Sequence, residues 1–345
     1  MEKRRPHHRP EVRSVNIVAK CRKRLPRARE SYSPEPEASA PGEYPLAIRC
    51  NLRALTLPAH DSMNKTPMPD AILLVGHGTR NVVGTEQFLR LAEFLREAVA
   101  PVPLEIGFIE LQQPSIESAL LGLAQRGLSK IVLAPALLFA AGHAKKDIPA
   151  AIANARVAHP ELQIIVAEPL GCHEALIDLA ALRFQNSHPL FSVLRGEGRG
   201  EGPASPQFSA SKTALVLVGR GSSDSTAIEH CREFAAALGE KVNAAGVFTG
   251  FIAVARPSLT ESLEQAAAGF DRIVVQPHLL FSGEMLESTS AAVSQAARLH
   301  PQIDWRQSPI LGSDLLETPG AAAPSLVRAL VAQMNAVKSF ALGSA

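Results

Sequence analysis

The stretch Ala71-Ile-Leu-Leu-Val-Gly-His-Gly-Thr79 occurs a second time, slightly altered, as Ala214-Leu-Val-Leu-Val-Gly-Arg-Gly-Ser222. Each copy is a continuous apolar run that ends in a glycine-rich turn. Such a run is typical of a parallel strand that is covered on both faces. The two copies predict two parallel sheets with the same starting strand.

Five further blocks repeat in the same order, and the offset between copies drifts from 143 residues (71 to 214) to 141 (159 to 300). The blocks are Gly107-Phe-Ile109 with Gly250-Phe-Ile252, Pro114-Ser115 with Pro257-Ser258, Lys130-Ile-Val132 with Arg272-Ile-Val274, Leu137-Leu-Phe139 with Leu279-Leu-Phe281, and His159-Pro160 with His300-Pro301. Small deletions explain the drift. We interpret the pattern as a tandem duplication of a unit of about 120 residues, the size of a whole domain rather than of a solenoid repeat.

Each unit alternates strands with helices. In the first unit, apolar patterning predicts strands at 71–75, 104–109, 130–138 and 162–167, with helices over 88–99, 116–123, 147–158 and from about 173. Strands separated by helices of this length indicate βαβ connections. The predicted fold class is therefore α/β: two tandem, homologous units, each a parallel sheet of about four strands flanked by helices.

The chain also divides by composition. Residues 1–62 contain 13 Lys/Arg and 7 Asp/Glu, a net charge of +6 (13 − 7), and they lack apolar periodicity. We predict a disordered basic tail over 1–66, with Met63 as an alternative start of translation. Unit one then spans 67–192, a Gly-rich linker 193–212, and unit two 213–345, with a C-terminal helix over about 323–337.

Composition excludes several classes of protein. The net charge of the whole chain is only +2, so a general nucleic-acid partner is not predicted. There is no apolar run of about 18 residues, so no membrane span is expected. The four cysteines form no CxxC pair, which argues against a zinc ribbon or an iron–sulfur cluster. A reducing cytoplasm is the expected compartment.

Candidate functional residues follow the strands of unit one. His77 comes directly after the first strand, Glu110 after the second, and His143 after the third. Ligands of open α/β sheets bind at this carboxyl edge. Imidazole and carboxylate groups there suit a divalent transition metal or proton transfer near neutral pH.

The repeat sharpens this interpretation. In unit two, Arg220 replaces His77, Ala253 replaces Glu110, and the stretch around Glu284 offers no histidine in place of His143. The scaffold residues persist while all three candidates are absent. The pattern predicts an active site in unit one and a degenerate one in unit two. His278 lies in a strand run, where a core role is expected.

Taken together, these residues resemble the class II tetrapyrrole chelatases, specifically the sirohydrochlorin cobaltochelatase/ferrochelatase family in its long, two-unit form. The resemblance covers about 70–320. It rests on the stretches 73–80, 108–110 with 114–115, 135–139 with 142–143 and 147–149, and in unit two on 256–259 and 276–283.

The resemblance implies insertion of a divalent metal, Co²⁺ or Fe²⁺, into sirohydrochlorin with release of two protons, in cobalamin or siroheme biosynthesis. It implies that His77, His143 and Glu110 bind the metal and act in catalysis, and that no organic cofactor is needed. The basic residues Arg80, Lys145, Lys146 and Arg220 are candidates for pairing with substrate carboxylates. We expect a monomer whose two units pack like the halves of a dimer.

Two other classes stay open. The protein could carry a metal or a tetrapyrrole without catalysis. It could instead be a phosphate-binding α/β enzyme that uses the turn Gly76-His77-Gly78, although neither GxGxxG nor GxxxxGK[ST] is present. Residue types alone do not separate cobalt from iron or nickel.

Overall fold

The computed structural model describes residues 68–139, 142–189, 212–317 and 320–337, and for His143 it describes the backbone alone. The predicted tail, 1–66, and positions 193–211 of the predicted linker lie outside these residues. Among the described helices, none is long and apolar enough to cross a membrane.

The first sheet is built on β1, Ala71–Gly76, every residue of which is buried. Its strand order is β2-β1-β3-β4, and all pairs are parallel. The other strands are β2 (Leu104–Phe108), β3 (Lys130–Pro135) and β4 (Gln163–Val166). Two separate apolar clusters contact the two faces of β1, which explains why its sequence is apolar throughout rather than alternating.

Helices connect these strands. They are α1 (Val82–Ala98), α2 (Ile116–Gln125), α3 (Gly142–Ala158) and α4 (Glu174–Gln185). Side-chain caps fix two of the starts: Asn81 accepts a hydrogen bond from Gly84 N, and Ser115 accepts one from Ser118 N. These caps satisfy amides that have no partner within the helix.

The second sheet repeats this arrangement around β6, Thr213–Gly219. Its order is β7-β6-β8-β9-β5, and only the short β5 (His188–Pro189) is antiparallel. The elements are α5 (Ser225–Lys241), β7 (Gly246–Phe251), α6 (Leu259–Ala267), β8 (Arg272–Pro277), α7 (Glu284–Leu299), β9 (Asp304–Gln307) and α8 (Ala322–Ala336).

Strand register confirms the duplicated fold. Gly76 pairs with Phe108 at the end of β1, and Gly219 pairs with Phe251 at the end of β6. In each sheet the second strand then forms an isolated bridge to the serine that caps the next helix, Ser115 or Ser258.

The last helix of each half packs against the other half. Helix α4 contacts α5 and β8, while α8 contacts α1 and β3. The buried Arg183 of α4 stabilises the contact between the halves, because it donates hydrogen bonds to Asp314 (2.5 Å) and to the Leu311 carbonyl oxygen (3.0 Å). One apolar cluster consequently contains residues from both sheets.

Three details differ from the sequence-based expectation. Helix α3 begins at Gly142 rather than near 147, because Ala144 lies on the same buried face as Ile148, Ile152 and Ala155. Strand β3 ends at Pro135 rather than 138, where its pairing with β1 ends. The second sheet has a fifth strand, β5 (His188–Pro189), which extends it beyond β9.

Candidate active site

The turn after β1 places a histidine beside a carboxylate. Gly78 has φ +94°, and a Cβ there would lie 1.9 Å from the Glu110 carbonyl oxygen. Only glycine fits so close an approach at this φ. Glu110 N also donates to the His77 carbonyl at 3.1 Å. The two backbones are thereby held together, with both side chains at the carboxyl edge of the sheet.

The same turn recurs in unit two. Gly221 has φ +86°, and its Cβ would lie 1.8 Å from the Ala253 carbonyl oxygen. Ala253 N donates to the Arg220 carbonyl at 3.0 Å. Arg220 and Ala253 therefore occupy the backbone positions of His77 and Glu110.

The His77 ring is held on both sides. Its Nδ1 lies 3.5 Å from Glu110 Oε1, and the ring is about one-third exposed. Its Nε2 lies 3.2 Å from Nη1 of Arg220, which reaches across from the other half. An arginine has only donors, so Nε2 must be the acceptor and the proton must sit on Nδ1, facing Glu110. The contacts thus select a neutral imidazole in one tautomer.

The predicted basic residues have different surroundings. Arg80 and Lys146 line a cavity beside His77. Lys145 instead forms an ion pair with Asp224 at 2.6 Å, which connects α3 to the residue that caps α5. The hydrogen bond from Lys145 holds the pKa of Asp224 below its usual value. His143 lies in the first turn of α3, not in the loop that the sequence suggested.

The cavity, of about 780 Å³, lies between the carboxyl edges of the two sheets. This volume is in the range of small-molecule and cofactor sites. Polar residues from both turns contribute to its wall, and aromatic residues of the two units do so as well. The aromatic side chains are Phe88, Phe108, Phe139, Phe251 and Phe281. Such a wall suits a flat, conjugated ligand with a polar edge.

His278 also lines this cavity, immediately after β8. It is 5% exposed, and its ring lies 4.2 Å from the Phe234 ring and 5.2 Å from the Phe139 ring. Among the residues that the structure describes, its Nε2 has no hydrogen-bond partner. Burial lowers its pKa to about 3, so the ring is neutral. The expected core position is correct, but the sequence did not reveal its place in the cavity wall. Its location after Pro277, matching Ala136 after Pro135, was the available signal.

Cys231 lines the cavity, but its thiol is not suited to bind a metal or to react. Cys231 is buried, and burial raises the pKa of its thiol to about 12. A thiol must lose its proton to bind a metal or to attack a substrate. Cys231 is therefore a wall residue, and histidine and glutamate remain the candidate groups.

Of the three predicted metal ligands, the structure brings His77 and Glu110 together. Within the described part of the chain, no three His, Cys, Asp or Glu side chains cluster with metal-binding geometry. The side chain of His143, the third predicted ligand, is outside that part. Arg220, which the repeat singled out, lies in hydrogen-bond range of His77 Nε2.

Sequence comparison finds relatives that match about two thirds of the chain. A sirohydrochlorin cobaltochelatase from Priestia megaterium is 28% identical over 243 residues, which cover 70% of this chain and 74% of that protein. A sirohydrochlorin ferrochelatase from the same organism is 30% identical over 227 residues, which cover 66% and 79%.

Solved structures show the same fold. SirB from Bacillus subtilis with Fe³⁺ has a TM-score of 0.62 at 24% identity and covers 78% of this chain and 96% of that one. SirB from Bacillus subtilis subspecies spizizenii in complex with cobalt has a TM-score of 0.58 at 25% identity and covers 78% and 94%.

The sequence model of the CbiX family matches residues 71–187 and 214–316, more than half of the chain. The first segment contains all four strands of the first sheet, and the second contains β6 from its second residue onward together with β7, β8 and β9. The match therefore follows the duplication seen in the structure, and the chain belongs to the CbiX family.

Proposed function

We propose that the protein is a metal chelatase, a lyase that inserts Co²⁺ or Fe²⁺ into sirohydrochlorin and releases two protons. The observation that carries the proposal is His77, held between Glu110 and Arg220 at the wall of a large aromatic-lined cavity. The relatives named as sirohydrochlorin chelatases supply the substrate class.

His77 and His143 are the proposed metal-delivering groups, and Glu110 assists them. The Nε2 of neutral His77 is a lone-pair donor of the kind that cobalt and iron accept. The Glu110 carboxylate faces Nδ1–H, so it stabilises positive charge that develops on the imidazole when Nε2 binds a metal or a proton. This arrangement suits a reaction in which one cation enters the macrocycle as two protons leave.

The substrate would bind with its ring against the aromatic wall and its carboxylates toward the basic residues. Arg80, Lys146 and Arg220 line the cavity, which supports this assignment. Lys145 already pairs with Asp224, so its contribution requires breaking that ion pair. Arginine is the better carboxylate partner because its planar fork can donate two parallel hydrogen bonds.

A non-catalytic carrier of metal or tetrapyrrole is the alternative function. It needs a ligand and a cavity but no proton acceptor. The Glu110–His77 pair favours catalysis, since a carboxylate behind an imidazole raises the basicity of the ring.

Insertion assays test the proposal. The full chain is mixed with sirohydrochlorin and either Co²⁺ or Fe²⁺, and the change in tetrapyrrole absorbance is followed. We expect turnover with the wild type and a fall of about 10²-fold or more with His77→Ala. Binding of both ligands without turnover would instead establish the carrier.

His159→Ala is the matched control. His159 is also paired with a glutamate, Glu161, at 2.9 Å, and its side chain is 27% exposed, but it lies at the end of α3. The control should insert metal at the wild-type rate. Equal loss in the two variants would show that histidine removal damages the protein generally, and the site assignment would fail.

A further inference from the structure

The lone pair that would deliver the metal is already occupied. Nη1 of Arg220 lies 3.2 Å from His77 Nε2, in hydrogen-bond range. A metal ion would have to approach the same nitrogen to about 2.0–2.1 Å. One lone pair cannot serve both, and the guanidinium adds repulsion toward any cation. The metal can therefore bind at Nε2 of His77 only after Arg220 has moved.

Only the side chain of Arg220 has to move. Its backbone is fixed by a hydrogen bond from the Ala253 N–H to the Arg220 carbonyl oxygen. The neighbouring Gly221 packs so closely against Ala253 that the backbone cannot shift there. The residue as a whole is exposed, so the guanidinium has room to turn. A rotamer change is sufficient to uncover Nε2.

A substrate carboxylate can drive that change. In the present arrangement the guanidinium donates to a neutral imidazole. A carboxylate acceptor carries the full negative charge that a neutral imidazole lacks, and it can accept two parallel hydrogen bonds from the guanidinium. Arg220 lines the same cavity as Arg80 and Lys146, where a polycarboxylate ligand would sit.

We propose that Arg220 is a positioning residue that caps Nε2 of His77 until a carboxylate of the tetrapyrrole draws the guanidinium away. The inference rests on the proposed function and adds an order of binding to it. The tetrapyrrole binds first and raises the affinity of His77 for the metal. By linkage, a bound metal raises the affinity for the tetrapyrrole by the same factor.

Calorimetric titration of Co²⁺ into the full chain, with no tetrapyrrole present, tests the cap directly. Arg220→Met should bind Co²⁺ about tenfold more tightly than the wild type, because no charged hydrogen bond has to be broken. Adding His77→Ala to that variant should abolish the gain. Equal or weaker binding by Arg220→Met, including no measurable binding, would overturn the proposal.

Arg232→Met is the charge-matched control. Arg232 is an exposed arginine of α5 that donates to the Arg256 carbonyl, so its loss removes one positive charge from the same half without touching His77. It should bind Co²⁺ as the wild type does. A tenfold gain in this control would show that overall charge, not the cap, sets the affinity.

Order of mixing tests the second half of the proposal. In stopped-flow insertion, wild-type protein preloaded with sirohydrochlorin should complete its first turnover faster than protein preloaded with Co²⁺, whereas Arg220→Met should show no dependence on order. Order-independence in the wild type would overturn the tetrapyrrole-first sequence. Absence of any wild-type turnover would refute the proposed function, while the Co²⁺ titrations would still decide whether Arg220 caps His77.

Discussion

The two turns that follow β1 and β6 have nearly the same backbone and opposite chemistry. Both contain a glycine of positive φ pressed against the carbonyl of the neighbouring loop. Unit one then presents His77 and Glu110, whereas unit two presents Arg220 and Ala253. The steric demands of the turn therefore fix its glycines, while the side chain between them is free to carry a proton acceptor or a cation.

Unit two also has a histidine at a position where unit one has none. Unit two has the buried His278 where unit one has Ala136, and both amides donate to the strand that begins their sheet. The His77 imidazole is about one-third exposed and paired, whereas the His278 imidazole is buried and its Nε2 has no partner among the described residues. Position alone therefore does not define a functional histidine. Solvent access and partners do.

The largest expected effect tests whether the two turns are sterically equivalent. Gly78→Ala and Gly221→Ala each place a Cβ within 2 Å of a backbone oxygen at a φ that disfavours alanine. We expect each to lower the free energy of unfolding by about 3 kcal/mol or more. Urea denaturation of the two variants measures this. A large loss in one and none in the other would break the equivalence.

The positions that follow β3 and β8, Ala136 and His278, should differ in how they make stability depend on pH. His278 has a folded-state pKa of about 3, against about 6.5 when unfolded, so below pH 6.5 the unfolded state binds a proton that the folded state does not. Its contribution to stability is intact above pH 6.5 and falls by up to about 1.4 kcal/mol per pH unit as the pH drops toward 3.

Comparing wild type with His278→Leu between pH 7 and pH 4.5 isolates this contribution. The leucine variant should lose less stability on acidification than the wild type. Ala136→Leu, the same addition of an apolar side chain in unit one, should leave the slope unchanged. Parallel slopes in the wild type and His278→Leu would mean that His278 is not buried and neutral in solution.

The sequence predicted what depends on local pattern. Buried apolar runs located β1 and β6, and strand ends placed His77 beside Glu110. The sequence did not predict that α4 and α8 each pack against the opposite half of the molecule. An amphipathic pattern shows that one face of a helix is buried, but not which element covers that face. The Arg220–His77 contact depends on how the halves pack, and the repeat could indicate only that the two positions are equivalent.

The loops that follow β2 and β7 differ by one carboxylate, since Glu110 of the first is Ala253 in the second. Glu110→Gln keeps an oxygen that can accept from Nδ1–H of His77 but removes the negative charge behind the ring. Losing the charged hydrogen bond should slow metal insertion about tenfold, well short of the loss expected for His77→Ala. The initial rate of sirohydrochlorin metallation measures it.

Ala253→Gln provides the matched change in unit two. Ala253 is exposed and has the same backbone hydrogen bond as Glu110, but its neighbour is Arg220 rather than a histidine. The introduced amide should leave the insertion rate within about twofold of the wild type, because no imidazole there depends on a carboxylate. If Glu110→Gln is as fast as Ala253→Gln, the Glu110 charge has no part in insertion. If Glu110→Gln is as slow as His77→Ala, Glu110 is itself a main ligand or base rather than an assistant to His77.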